Sequence, residues 1–240
     1  MRLSSLPPLA LAAGIAAISM CSGLAETVII RQSFDDFAPD AAGTVGVEKD
    51  EGGAWKDFGK RESSPKATDQ EFAQGKDGSK GRSIRIIRDD AAVQTPDFWL
   101  LGSWLDPVDT GKARISFRVL RDSPDSGFSF HIGNAEKNAG VNTIALSIGN
   151  HSTSLEKLGV MTADGKWETT QTPLPVGSWM QIALDIDFSA STYTVSVDGL
   201  PVGEAIPFER DGALRRISFL PTHPNGNVSY IDDVEVVALD

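Results

Sequence analysis

Residues 177–203 read GSWMQIALDIDFSASTYTVSVDGLPVG and contain two stretches in which apolar and polar side chains alternate. The apolar members are Met180, Ile182, Leu184 and Ile186 in the first stretch, and Tyr193, Val195 and Val197 in the second. A period of two places alternate side chains on opposite faces of a β-strand. The second stretch stops at Asp198-Gly199, a strong signal for a tight turn. The pattern predicts a hairpin with one apolar face, which a second sheet must cover.

Similar short strands recur along the rest of the chain. We predict them over 28–33, 83–88, 98–101, 113–120, 127–132, 142–148, 160–169 (a hairpin turning at Asp164-Gly165), 216–220 and 230–237. Residues 38–81 are rich in Gly, Ser, Lys, Asp and Glu and have weak periodicity, so we expect long loops there, held by Trp55, Phe58 and Phe72. No amphipathic helix of useful length is evident. The chain is therefore predicted to be all-β, with two antiparallel sheets in a single sandwich domain over 26–240.

The N-terminus has the pattern of an export signal. An apolar run covers 9–20, and small residues then precede Glu26, so 1–25 is predicted to be a signal peptide that is removed. The run is short for a membrane span. Cys21 follows the bulky Met20, which disfavours a lipoprotein cleavage site. We expect a secreted or periplasmic protein without disulfides, because Cys21 is the one cysteine of the chain.

The charge of the chain limits its partners. The 240 residues include 22 basic and 33 acidic side chains, giving a formal net charge of -11. Such a surface repels nucleic acid and anionic membranes. We therefore expect no nucleic-acid partner and no membrane insertion after signal cleavage, while glycans, cations and basic proteins remain open.

Two segments carry a resemblance to a known superfamily. Residues 179–187 have the form Trp-x-x-Ile-x-Leu-x-Ile-Asp and are followed by Val-Asp-Gly at 197–199, and residues 230–236 read YIDDVEV. Both segments resemble strands of the concanavalin A-like jelly rolls, which include laminin-G-type domains, legume lectins and many secreted carbohydrate-active proteins. The resemblance implies a jelly-roll sandwich whose curved outer surface often binds glycans. It says more about fold than about activity.

Polar side chains opposite the apolar sets are candidates for a ligand site. If strands 113–120, 127–132, 142–148 and 179–187 lie in one sheet, one outer surface would carry Arg118, Ser129, His131, Ser147, Gln181 and Asp185. By the resemblance, this surface is the expected glycan groove. The alternative is an ordinary solvated face, which antiparallel sandwiches commonly have.

Aromatic side chains add a second group of candidates. Trp167 follows the turn at Asp164-Gly165, and an exposed ring there would stack on a sugar. Trp179 opens a buried strand and is assigned to the core or its edge. For Trp55, Trp99 and Trp104, core packing is the expected role.

A structural calcium ion is implied by the resemblance. Many β-sandwich carbohydrate modules hold Ca²⁺ where the first and last strands meet, and Asp35 and Asp232 match the acidic positions. Ca²⁺ prefers several oxygen ligands. The alternative is that these acids cap strand ends and face water.

Catalytic motifs are scarce. Jelly-roll glycoside hydrolases need two carboxylates at a fixed separation, commonly in a Glu-x-Asp-x-x-Glu strand, whereas the best-formed strand here offers Asp185 and Asp187 without a Glu. The primary hypothesis is an exported, non-catalytic domain that binds glycan or another surface ligand through Arg118, His131, Gln181, Asp185 and Trp167. One alternative is an unfamiliar polysaccharide lyase or hydrolase in which Arg118 neutralises a uronate, His131 acts as base and Tyr193 as acid. Another is a structural protein of the envelope.

Overall fold

The structure is a computed structural model, and it describes residues 26–33, 54–58, 70–74, 82–87, 99–133, 142–149, 153–209, 213–221 and 228–239. The regular elements of this part are sixteen β-strands. No helix within it is long and apolar enough to cross a membrane.

The strands fall into two antiparallel sheets. They are β1 (Glu26–Gln32), β2 (Ala54–Phe58), β3 (Gln70–Gln74), β4 (Arg82–Ile87), β5 (Trp99–Val108), β6 (Lys112–Arg121), β7 (Phe128–Gly133), β8 (Asn142–Ile148), β9 (Lys157–Met161), β10 (Trp167–Pro173), β11 (Trp179–Asp187), β12 (Thr192–Val197), β13 (Leu200–Pro201), β14 (Ile206–Pro207), β15 (Leu214–Pro221) and β16 (Val228–Leu239). Sheet A has the order β13-β12-β11-β6-β16-β4-β3, with β1 beside β16 and β14 beside β12. Sheet B has the order β10-β9-β8-β7-β15-β5-β2.

The hairpin predicted over 177–203 lies at one side of sheet A. β11 and β12 pair in the register Ile182 to Val197 and Leu184 to Val195. All four of these side chains are buried, as the period of two predicts. A two-residue turn then joins β12 to β13, and both of its residues, Asp198 and Gly199, have positive φ angles of 51° and 76°. Positive φ at both central positions fits the twist of a tight hairpin turn.

The core lies between the sheets and is packed by aromatic rings. Phe117 of sheet A lies 4.7 Å from Phe130 and 5.1 Å from Phe219, both of sheet B, measured between ring centroids. All three side chains are fully buried. Burying one such side chain contributes about 1.5–3 kcal/mol. The prediction of two facing antiparallel sheets is confirmed.

The ends of the domain meet in sheet A. β1 pairs with β16 from Glu26 opposite Leu239 to Gln32 opposite Val234. β16 also pairs with β6 and β4, so residues 228–239 lie within the sheet rather than at its edge.

Three sequence-based expectations differ from the structure. The region 38–81, expected to be loops, contains β2 and β3. β5 has ten residues, whereas only 98–101 was predicted, because Gly102, Asp106 and Pro107 interrupt its apolar pattern. Most importantly, β6 and β11 lie in sheet A whereas β7 and β8 lie in sheet B. Alternation tells which face of a strand is buried, but it carries no information about which sheet the strand joins.

Candidate functional site

The outer face of sheet A is arranged in rows that cross the strands. Paired residues of neighbouring strands point to the same side of a sheet, so the register defines the rows. One row holds Gln181, Arg118 and Asp232; the next holds Ser196, Ala183, Ser116 and Glu235; the third holds Thr194, Asp185, Arg114 and Val237. The middle row has small side chains on three adjacent strands. It therefore forms a trough between two higher rows.

The trough opens into a depression of 270 Å³ at its β16 end. The depression is lined by Arg31, Ser33, Ser116, Gln181, Asp233, Val234 and Glu235. From β12 to β16 the middle row crosses three strand spacings, which corresponds to a length of about 14 Å. We call the middle row and this depression the sheet A trough.

Ion pairs hold the charged side chains around the trough. Arg114 Nε donates to Asp185 Oδ1 at 2.7 Å, and Arg31 donates to Glu235 Oε1 from Nε at 2.9 Å and from Nη2 at 2.7 Å. The hydrogen bond to Asp185, together with its charge, raises the pKa of Arg114. Such exposed pairs contribute roughly 0–1 kcal/mol each to stability. Their main effect here is to fix the orientation of donors and acceptors along the trough.

A β-bulge in β16 shapes the same region. The register with β6 shifts between Asp232 and Glu235, and Asp233 has a positive φ of 47°. Val234 is consequently turned into the core, while the Asp233 carboxylate faces Arg118 Nη1 at 3.5 Å. Bulges re-aim side chains in this way. The sequence pattern does not reveal this bulge.

Trp179 lies opposite Leu120, one row beyond the Gln181–Arg118 row and on the side away from the trough. Arg118 Cζ is 5.1 Å from the centroid of the Trp179 ring, within the range of a cation–π contact. The indole N–H is buried and has no hydrogen-bond partner within the part of the chain that the structure describes. Trp179 was expected in the core or at its edge; because Met180 points inward, its neighbour Trp179 points outward. The ring is half-buried on the outer face instead.

The outer face of sheet B carries polar side chains, but they are buried from solvent. Its buried polar side chains are Ser129, His131, Ser147, Arg216 and Ser218. Burial, with the charge of Arg216 as a smaller cause, lowers the pKa of His131 to about 4. Trp167 is half-buried and its ring meets the His131 ring edge-on, with centroids 6.4 Å apart. His131 is therefore neutral at pH 7.

Thr153 closes part of this face. Its Oγ1 lies 2.7 Å from Ser147 Oγ. A Cβ atom added to Gly159 would lie 2.6 Å from the Thr153 side chain, so the segment packs directly on the strand. Unlike the sheet A trough, this surface offers little room above its polar groups.

Comparisons with known proteins identify the fold. No protein-family model matches the sequence, and no curated protein matches it. The chain resembles the solved catalytic domain of a glycoside hydrolase family 131 protein from Coprinopsis cinerea, with a TM-score of 0.56, 14% identity and coverage of 87% of this chain and 93% of that one. The chain has a two-sheet antiparallel jelly-roll fold. A solved sialidase gives a TM-score of 0.56 at 12% identity over 85% of this chain, which spans 18% of the sialidase. A third structure, described in connection with endo-acting O-glycanases of the human gut microbiota, has a TM-score of 0.52 at 11% identity. The match covers 89% of this chain and 100% of that one.

The jelly roll separates residues that were predicted to share one surface. Arg118, Gln181 and Asp185 lie on the outer face of sheet A, and His131 lies on the outer face of sheet B. The expectation of a joint polar face was therefore wrong, because it required the four strands to lie in one sheet. The ligand-binding role of the sheet A group stays a prediction, as does that of His131 and Trp167.

Tyr193 lies in the core of the jelly roll. Its side chain is fully buried, and its hydroxyl donates to the Met161 carbonyl of sheet B at 2.8 Å. Burial raises the pKa of Tyr193. The three residues of the catalytic alternative thus lie on two outer faces and in the interior. They do not converge, so that catalytic arrangement was wrong.

The calcium prediction concerns Asp35, outside the described residues, and Asp232. Asp232 is buried, and its Oδ1 accepts the Asp233 N–H at 2.8 Å. Within the described ranges no three His, Cys, Asp or Glu side chains cluster to hold a metal ion. Ca²⁺ takes six to eight oxygen ligands. The described residues do not supply such a set, and calcium binding rests on Asp35 as an untested prediction.

The side chains of Trp55, Trp99 and Trp104 also lie outside the described part.

Proposed function

We propose that this protein is an exported, non-catalytic jelly roll that binds glycan in the sheet A trough. The observation that carries the proposal is the row of small side chains, Ser196, Ala183 and Ser116, between two rows of larger polar side chains. An extended ligand laid along this row meets donors and acceptors on both sides.

The chemistry of the walls suits sugar hydroxyl groups. A hydroxyl both donates and accepts, so its complement contains guanidinium or amide donors beside carboxylate acceptors. Arg118 and Gln181 line one wall, and Arg114 and Asp185 line the other. Because ion pairs already orient the arginines, binding would cost less side-chain entropy.

The similar structures support a carbohydrate ligand in outline. Three similar structures with TM-scores above 0.5 are described as a sialidase, as the catalytic domain of a glycoside hydrolase, and in connection with endo-acting O-glycanases. Carbohydrate is therefore the ligand class that we propose for the trough. The non-catalytic interpretation is favoured because Arg118 and His131 lie on opposite outer faces and Tyr193 lies in the interior.

The proposal of export rests on the signal-like residues 1–25. An extracellular or periplasmic location would bring the trough into contact with polysaccharides.

The test fills the trough without removing its walls. Ala183 is half-buried at the centre of the row, and Ala183→Trp would block it. On a glycan array followed by titration with the best ligand, we expect Ala183→Trp to abolish binding. Arg118→Ala, which loses a charged donor, should weaken it about tenfold or more. Thr110→Trp adds the same bulk at an exposed turn position outside the trough and serves as the control.

Two outcomes would count against this proposal. The first is unchanged binding by Ala183→Trp together with loss of binding by Trp167→Ala, which would place the ligand on sheet B. The second is release of reducing ends or unsaturated sugars in a parallel product assay, which would make the protein an enzyme.

A further inference from the structure

A larger groove lies at one edge of the jelly roll, between the end strands of the two sheets. Its volume is 990 Å³, near the top of the range of about 300–1,000 Å³ for ligand pockets. β10 forms the wall on the side of sheet B, and β13, β14 and the residues between them form the opposite wall. The floor is made of four buried apolar side chains, Val160, Leu174, Val197 and Val202. We call this feature the edge groove.

The backbone of β10 is available along the edge groove. Within the described part of the chain, β10 pairs only with β9. The Thr172 N–H donates to the Thr170 hydroxyl oxygen at 3.1 Å, which is a local hydrogen bond and not a pairing with another strand. β13 and β14 have two residues each and end in Pro201 and Pro207, which lack an N–H. The capacity for strand pairing is therefore greatest on β10.

An open strand edge beside an apolar floor fits an extended polypeptide. Such a segment adds to the sheet through main-chain hydrogen bonds, and its alternate side chains enter the pockets beside the edge. Leu200, with 72% of its side chain exposed at the rim, offers a further apolar contact. A glycan fits less well, because none of the groove's lining residues, all of them described, is aromatic.

The charges of the edge groove indicate the kind of segment. Its ionisable lining residues are Glu168, Asp198 and Glu204, all exposed, and its lining includes no Lys, Arg or His. A second copy of this chain would bring the same carboxylates and a formal charge of -11. A segment with Lys or Arg would instead be attracted to the rim.

We propose that the edge groove binds an extended segment of a partner protein as a further strand beside β10, with apolar and basic side chains directed into the groove. This interaction is independent of the sheet A trough, because the groove residues Glu168 and Glu204 contribute nothing to that trough. Binding of glycan and of this segment can therefore be measured separately on the same protein.

The test uses a fluorescently labelled peptide of seven residues, the length of β10. Its even positions are valine, lysine and valine, and its odd positions are threonine; a matched peptide has glutamate in place of lysine. We expect the lysine peptide to bind more tightly by fluorescence anisotropy. The double variant Glu168→Lys/Glu204→Lys should weaken the lysine peptide about fivefold or more and should prefer the glutamate peptide.

Two controls distinguish binding in the groove from the effect of net charge and from non-specific binding of the peptide. The double variant Asp109→Lys/Glu26→Lys changes the net charge equally at exposed sites outside the groove and should bind as the parent does. An added strand bonds to β10 through alternate residues only. N-methylation of the peptide at one set of alternate positions should therefore abolish binding, whereas methylation of the other set should leave it intact.

Three results would overturn the proposal: no binding of the lysine peptide to the parent protein, equal effects of the two double variants, or equal tolerance of both methylation patterns. Displacement of the peptide by a glycan that the Glu168→Lys/Glu204→Lys variant fails to bind would assign the groove to carbohydrate.

Discussion

Replacing Arg121 by methionine should destabilise the protein more than any exposed substitution on the same strand. Arg121 is completely buried, and its guanidinium donates to three backbone carbonyls: from Nε to Ser126 at 2.7 Å, from Nη1 to Leu174 at 3.1 Å, and from Nη2 to Pro124. It thereby joins the loop after β6 to the segment before β11. A Cβ atom on Gly149 would lie 2.7 Å from Arg121 Nε, so nothing larger fits beside it.

The magnitude follows from these three bonds. A hydrogen bond to a charged group contributes about 1.5–3 kcal/mol, but the three are not additive, and removing the guanidinium also removes its desolvation penalty. We expect Arg121→Met to lower the free energy of unfolding by about 3–5 kcal/mol. Arg121→Lys should cause a smaller loss in the free energy of unfolding than Arg121→Met. Its single ammonium group can still donate hydrogen bonds, but it does not reach all three carbonyls as the planar guanidinium does.

The assay is urea denaturation followed by tryptophan fluorescence, with linear extrapolation to water. Arg114→Met is the matched control, since Arg114 lies on the same strand, is exposed and forms one surface ion pair with Asp185. It should cost no more than about 1 kcal/mol. If Arg121→Met and Arg114→Met prove equally mild, the view of Arg121 as the link between these loops is refuted.

Three further predictions concern pH and packing. The pKa of His131 in the folded protein is about 4, below the ordinary value of 6.5, so the unfolded state binds more protons between these values. Stability should therefore fall by up to about 3 kcal/mol as the pH decreases from about 6.5 to 4, and His131→Gln should flatten this slope in denaturation curves recorded across that range. The Ser189 hydroxyl and the Ala190 N–H lower the pKa of Asp187 to about 2, so its stabilising effect is complete above its ordinary pKa of 3.8 and is lost as the pH falls towards 2. Asp187→Asn should weaken this acid dependence in thermal melts, and an unchanged acid limb would contradict the assignment. Leu184→Ala, at a fully buried site of the hairpin, should lower the free energy of unfolding by about 2–5 kcal/mol. The control Ala183→Ser, at the neighbouring outward position, should change it by no more than about 0.5 kcal/mol. Equal losses in urea denaturation would mean that the inward and outward faces were misassigned.

The sequence was sufficient for the architecture because alternation is a local property. Ile182, Leu184 and Ile186 point inward as their period of two predicts, and Asp198-Gly199 forms the predicted turn. The resemblance of 179–187 and 230–236 to jelly-roll strands is confirmed at the level of fold.

The candidate site was less predictable because it depends on which strands become neighbours. Arg118 and Gln181 are indeed opposite each other, but His131 is on the other sheet, and nothing local in 128–133 specifies that choice. The trough was missed for a related reason, since Ala183, Ser116 and Ser196 line up only through the register of three strands. The buried role of Arg121 was not predictable from the sequence, because its hydrogen-bond partners are backbone carbonyls, which every residue has.

The position of β16 has a consequence for biogenesis. Its residues occupy the interior of sheet A; most of the chain separates them from their partner β1, and nearly half of it separates them from β6. Contacts of such long sequence separation form slowly, and they are impossible before residues 228–239 have been synthesised. Sheet A can therefore be completed only after residues 228–239 are available, later than local pairings such as that of β11 with β12.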